Sequence, residues 1–337
     1  MILDTEFNSA AQIPARECLE GAMLAEQRGF GCVWKGESNS RDPIVLLSAM
    51  AAQTGRIELG TAIYHMFGRS PVSLAIQAAT LNDLSRGRLI LGLGIANPTI
   101  AAWHGYEFDR PLRQLREYID VLRQVYSGRK TEYAGDFYRV NGFKLAFDPP
   151  PYPLRVWLAA LGPQMTRLAG RISDGIVINL ANPPMIREIA ARFREAARGA
   201  DRDPDQLQVV SKIRVSIHPD IEKARRALKK VLTFYSLAYG YEALLSRMGW
   251  GQVVQSIQRA HRESGFQAAV AQIPNEMLNS VPMVAGTSIG AVHARLPEYK
   301  GAGSDRCVVA YVVSGDDSWT EIRAFVDQFD LNPVPTV

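Results

Sequence analysis

Residues 56–95 read RIELGTAIYHMFGRSPVSLAIQAATLNDLSRGRLILGLGI, and this stretch decides the fold. An apolar run, Arg56–Ile63, leads to Ser70-Pro71, a hydroxyl able to cap a helix and a proline whose fixed φ suits the first helical turn. Helical spacing continues to Gly87, a good helix terminator, and a second apolar run follows at once over Arg88–Ile95. Strand, helix and strand in so short a span predict a crossover unit with parallel strands.

The alternation extends in both directions. Ile2–Phe7 and Gly31–Lys35 read as the two preceding strands, with helices from Pro14 to Gly29 and over Pro43–Gln53. Downstream, strands are expected at Arg155–Ala160, Ile176–Asn179, Leu207–Ile217 and Arg306–Val313. Helices are expected at Asp109–Tyr126, from Gly162-Pro163 to near Gly170, over Pro184–Arg198 and from Ser318 to Gln328. Eight evenly distributed strands predict an α/β protein with a single (β/α)8 TIM-barrel domain over residues 1–337. An open doubly wound sheet has no natural place for that pattern. Two insertions interrupt it, after strands four and seven. Residues 128–150 hold a hairpin, Thr131–Val140, turning at Gly135-Asp136, and residues 231–303 are far too long for a connector. The second is read as a helical, substrate-covering insertion.

Composition narrows the function. The chain has 337 residues, 47% hydrophobic and 21% charged, which excludes disorder. Lys+Arg 38 against Asp+Glu 34 leaves +4, without a basic tail or stripe, so nucleic acid is not an expected partner. The three cysteines, Cys18, Cys32 and Cys307, have no CxxC spacing, which argues against a disulfide framework or zinc. Neither a signal segment nor an apolar run of ~20 residues is visible, so a cytoplasmic protein without membrane attachment is expected.

In such a barrel, chemistry belongs at the C-terminal ends of the strands. That rule selects Glu6, Glu37 and Ser38, Tyr64 and His65, Asn97, Asn179, and Lys212 or Arg214, though each could equally cap or brace a loop. Leu91-Gly92-Leu93-Gly94 is not a dinucleotide fingerprint, because Asn97 takes the place of the third glycine. Gly162-Pro163-Gln164-Met165 is a better anion site: glycine permits close approach, and a helix start directs free N–H groups and positive dipole outward. The five histidines lack metal-ligand spacing, and no serine sits in a GxSxG elbow. A phosphate cradle without metal, elbow or acid pair points to a borrowed cofactor.

The runs Arg56–Ile63, Arg69-Ser70-Pro71, Thr80–Arg88 and Leu91–Gly94 together resemble the luciferase-like monooxygenase superfamily. Leu161–Met165, Ile172–Gly175 leading to Ile178-Asn179, and Asn182-Pro183 are similar to its branch that uses the deazaflavin coenzyme F420, the methylenetetrahydromethanopterin reductases above all. The resemblance covers residues 1–217 and strand eight. It implies cofactor contacts from Thr61, Ala62 and Ile63, Asn97, Leu161, Gly162, Pro163, Gln164, Met165 and Asn179, with the phosphate at Gly162. It also implies a bulge after strand three with a cis peptide at Ala62–Ile63, a backstop for the ring, and a homodimer. The chain departs from many deazaflavin enzymes at Glu37-Ser38, where they carry Asp-His, and this argues against the reductases' own pterin substrate.

The resulting expectation is an F420-dependent oxidoreductase that moves hydride between C5 of the cofactor and a small-molecule or peptide substrate, reducing a C=C or C=N bond. Glu37 is the first candidate for the proton donor, with Tyr64 and His65 competing. Glu6, Tyr235 and Tyr239 are candidate substrate contacts. The alternatives are an FMN-dependent monooxygenase on the same barrel and a non-catalytic barrel that binds a cofactor or small molecule.

Overall fold

The computed structural model describes residues 1–7 and 13–331. The first half runs β1 (Ile2–Glu6), α1 (Ala15–Gln27), β2 (Cys32–Lys35), α2 (Pro43–Gln53), β3 (Glu58–Thr61), β4 (Tyr64–His65), α3 (Pro71–Leu84), β5 (Leu89–Gly94), α4 (Pro98–Trp103) and α5 (Pro111–Tyr126). A hairpin of β6 (Thr131–Ala134) and β7 (Arg139–Phe143) precedes β8 (Arg155–Ala159), α6 (Pro163–Ile172), β9 (Gly175–Ile178), α7 (Pro183–Arg198) and β10 (Gln208–Ile217). Then come α8 (Ile221–Leu237), α9 (Tyr241–Arg247), α10 (Gly251–Ser264), α11 (Phe266–Ala271) and α12 (Asn275–Ser280). The chain continues through β11 (Met283–Gly286), α13 (Gly290–Gly301), β12 (Arg306–Tyr311) and α14 (Ser318–Asp327). Several helices begin as their sequences direct. Asp42, Ser70 and Asn182 each accept a backbone N–H at the third following position, at 3.0, 3.2 and 3.2 Å, with proline next in the chain.

Eight parallel strands close in the order β1-β2-β3-β5-β8-β9-β10-β12, with β12 returning to β1, to form a (β/α)8 TIM barrel. Strand β10 pairs with β12 along one edge. Its other edge pairs with β9 at Gln208–Ser211 and then with β11 at Arg214–Ile217. Strand β11 therefore takes over that edge of β10 from β9 toward the C-terminal rim.

The floor of the barrel is shut. At its N-terminal end Arg306 donates to Asp4 at 2.8 and 2.9 Å and to Glu58 at 2.5 Å, and Arg155 also donates to Glu58. The two guanidinium groups hold Glu58 below the usual carboxylate range although burial opposes this. Above lies a layer of Trp34, Ile90, Trp157, Val177, Val210 and Val308, with the two indoles 5.5 Å apart. Two glycines make room for them: a Cβ on Gly60 would lie 2.3 Å from Trp34, and one on Gly175 would lie 2.6 Å from Trp157. With this plug in place, a ligand can enter only at the C-terminal mouth.

The bulge expected after strand three is present: the peptide at Ala62–Ile63 is cis, between β3 and β4. Two features differ from the sequence-based expectation. A short helix, α4, follows β5 directly. Residues 231–303, expected to be helical, also contain strand β11. Among the described residues, no helix is long and apolar enough to cross a membrane.

Candidate active site

The mouth is organised around the split strand. The Ala62 N–H donates to the Lys35 carbonyl at 3.0 Å, and the Glu37 N–H donates to the Ile63 carbonyl at 2.9 Å, so the loop after β2 is laced to the bulge. Thr61 is fixed below by its hydroxyl, which donates to the Gly92 carbonyl at 2.7 Å. A Cβ on Gly94 would come within 2.8 Å of Ile63, so the bulge occupies the space that glycine leaves.

This lacing delivers Glu37 to His65. The His65 N–H donates to Glu37 Oε2 at 3.0 Å, and His65 Nε2 lies 3.2 Å from the same oxygen. Only 1% of the histidine and 10% of the glutamate side chain is exposed. Burial pushes the Glu37 carboxyl up to about 7, its accepted hydrogen bond only partly offsetting this. Burial, reinforced by His104 and Arg69, pushes His65 down to about 4. The result near neutrality is an uncharged imidazole against a carboxyl that readily gains or loses a proton. Gly68 completes the pocket, because a Cβ there would sit 2.9 Å from Glu37 Oε1. Tyr64 is also drawn in, its ring 6.4 Å from that of His65. Its buried hydroxyl has no hydrogen-bond partner among the described residues, and burial raises its pKa, so it stays protonated.

Next around the rim is the start of α6. Gly162 is its N-cap, with φ −83° and ψ 156°, and no side chain caps the helix. Pro163 has no N–H to satisfy, which leaves those of Gln164 and Met165 at the first turn. No atom lies within 4 Å of where a Gly162 Cβ would stand, and Gly162, Pro163 and Gln164 are exposed. Leu161 and Met165 anchor the turn by packing into the core. An open, uncapped helix start of this kind is what an anion site requires.

The remaining candidates divide. Asn97 accepts the Ile100 N–H at 3.0 Å as the N-cap of α4, which leaves its amide Nδ2 for any ring contact. Asn179 accepts from Arg214 Nη1 at 2.9 Å and donates to the Tyr241 hydroxyl at 2.6 Å. Glu6 is buried in an ion pair with Lys212. Tyr235 roofs Arg214, whose guanidinium carbon lies 4.5 Å from the ring centroid. Tyr239 is 64% exposed and touches Phe108 across the mouth at 5.8 Å. Phe108 in turn packs on Phe67, so the insertion and the early loops share an aromatic wall. Sequence reasoning missed Gly68 and the bond between Asn179 and Tyr241, which joins residues far apart in the chain. Among the described residues, no group of three or more His, Cys, Asp or Glu could hold a metal ion.

Comparison with known proteins places this geometry. The sequence pattern of the luciferase-like monooxygenases matches residues 2–306. The chain belongs to that family. Among luciferase-like relatives, the 5,10-methylenetetrahydromethanopterin reductase of Archaeoglobus fulgidus is 27% identical over 87% of this chain and 89% of its own. An F420-dependent glucose-6-phosphate dehydrogenase of Mycobacterium tuberculosis is 30% identical over 64% of this chain and 69% of its own. The solved coenzyme F420-dependent tetrahydromethanopterin reductase of Methanopyrus kandleri shares the fold, with a TM-score of 0.84 over 97% of both chains at 23% identity.

Proposed function

We propose that this chain is an oxidoreductase that uses coenzyme F420 and moves hydride between C5 of the deazaflavin and an organic substrate, most simply by reducing a C=C or C=N bond. One observation carries the reading: a single barrel mouth brings together an uncapped, open helix start and a buried carboxyl that titrates near neutrality. The name of the F420-dependent glucose-6-phosphate dehydrogenase supports the cofactor, and the relatives' differing substrates leave this chain's own open. The flavin alternative draws no support from these relatives.

When bound, the deazaflavin supplies a carbon that gives or accepts hydride. The N–H groups of Gln164 and Met165 would hold its phosphate, while Ala62 and Ile63 would back its ring and Asn97 Nδ2 would meet the ring's polar edge. Glu37, protonated, gives its proton to the substrate atom left electron-rich by hydride arrival and takes one up in the reverse direction. His65 positions that carboxyl from a neutral imidazole, while the walls of Phe108 and Tyr239 limit water around the reacting atoms.

The test is anaerobic: reduced F420 is mixed with a panel of enones and imines, and its oxidation is followed by deazaflavin absorbance. Oxidation matched mole for mole by reduced product supports the proposal; turnover that requires reduced FMN and oxygen overturns it. The reading includes a homodimer, and a dimeric mass by light scattering at micromolar protein checks that part.

A further inference from the structure

Strand β10 sends three successive side chains of one face into the mouth: Lys212, Arg214 and Ser216. All are buried, Arg214 to 1% exposure. Lys212 is neutralised by Glu6. Arg214 has no such partner: among the described residues, no carboxylate lies within 4.0 Å of its guanidinium. Its Nη1 donates to Asn179 Oδ1 and its Nη2 to the Tyr235 hydroxyl, and its Nε has no hydrogen-bond partner among the described residues. One pleat further, Ser216 Oγ is also buried without a partner.

A cation taken out of water is costly unless an anion or a full set of hydrogen bonds compensates it. Here two of the guanidinium's five donor hydrogens are used. Nε–H is among the free ones, and a guanidinium binds a carboxylate through parallel N–H bonds. With Glu6 and Lys212 cancelling, the cluster carries a single positive charge, which matches a monoanion better than a dianionic phosphate. The cofactor's phosphate is assigned to the α6 start after β8, and Arg214 lies two strands further round the barrel. The roof over the guanidinium is the partly exposed ring of Tyr235, which is all that separates it from the mouth's aromatic side chains.

We propose that Arg214, seconded by Ser216, holds a carboxylate of the substrate, which makes this barrel specific for an unsaturated or imino acid rather than a neutral compound. This rests on the oxidoreductase reading and names its substrate class.

Benzoate and its neutral isostere benzamide are suitable probes, because the walls around the site are aromatic. Calorimetric titration at fixed ionic strength, with and without F420, is expected to show benzoate binding at least tenfold tighter than benzamide. Arg214→Gln is expected to lose at least tenfold in benzoate affinity and to keep its F420 affinity within twofold. Equal binding of the two probes, no benzoate binding to the parent, or undiminished benzoate binding by Arg214→Gln overturns the proposal. Should Arg214→Gln fail to fold, Ser216→Ala removes a hydroxyl that has no hydrogen-bond partner among the described residues. A loss of severalfold in its benzoate affinity supports the site, and no loss overturns it. If the parent binds benzoate but not F420, the cofactor reading fails while the carboxylate site survives.

Discussion

Replacing Gly162 with valine separates a cofactor cradle from an ordinary strand-to-helix turn. At φ −83° and ψ 156° the backbone is extended, a conformation that a β-branched residue adopts without strain, and no protein atom lies within 4 Å of the new Cβ. The fold should change little. A change within about 1 kcal/mol is expected, since valine is a poorer N-cap than glycine but narrows the unfolded ensemble. A phosphate, in contrast, reaches the N–H groups of Gln164 and Met165 through the space that the valine methyls fill. A hydrogen bond to a charged group is worth about 1.5–3 kcal/mol, so losing one weakens F420 binding roughly 10- to 150-fold. The assay is a fluorescence titration of F420 at fixed ionic strength, paired with urea denaturation of both proteins. An affinity within twofold of the parent, in a variant of unchanged stability, would refute the cradle.

Other substitutions probe the rest of the mouth. Glu37→Gln keeps the size and the acceptor for the His65 N–H but removes the proton; turnover should fall about 10²- to 10⁴-fold while F420 affinity holds. In the parent the proton-requiring rate should fall above pH of about 7, and the variant should lack that limb. The folded pKa of Glu37, about 7, exceeds the usual 4.5, so its contribution to stability is full below 4.5 and lost as pH rises through 7. Glu37→Gln should accordingly resist urea better than the parent at pH 8. Alanine at Tyr239 removes an exposed wall that touches Phe108, so KM for substrate should rise severalfold with F420 affinity unchanged, as steady-state kinetics would show. Arg306→Met leaves the buried Asp4 without its cation and Glu58 with Arg155 alone, and urea denaturation should report a loss of about 3–5 kcal/mol.

The barrel was legible because its parallel strands are short apolar runs separated by capped helices, a pattern written locally in the chain. The same local writing reached the bulge through the resemblance, and the open helix start through Gly162-Pro163 alone. Strand β11 was not legible: four residues, Met283–Gly286, become a strand only because the rim of β10 offers them an unpaired edge. Helix α4 could have been read, since Asn97-Pro98 is a cap followed by a first-turn proline, the same signal accepted at Ser70-Pro71. Glu37, Tyr64 and His65 were each picked from their strand ends, but their union depends on the chain turning at Ala62–Ile63. The Asn179, Arg214, Tyr235 and Tyr241 network joins two strands to the late insertion, and nothing in the spacing of these residues foretells it. The ion pairs of the floor are similar: Asp4, Glu58, Arg155 and Arg306 are scattered through the chain and meet only when the barrel closes.

The most direct test of the central claim is a side-by-side titration of the purified protein with F420 and FMN under one buffer and salt. The account predicts saturable F420 binding at least tenfold tighter than FMN, and weakened by Gly162→Val. Tighter binding of FMN, or no saturable binding of F420, would contradict it.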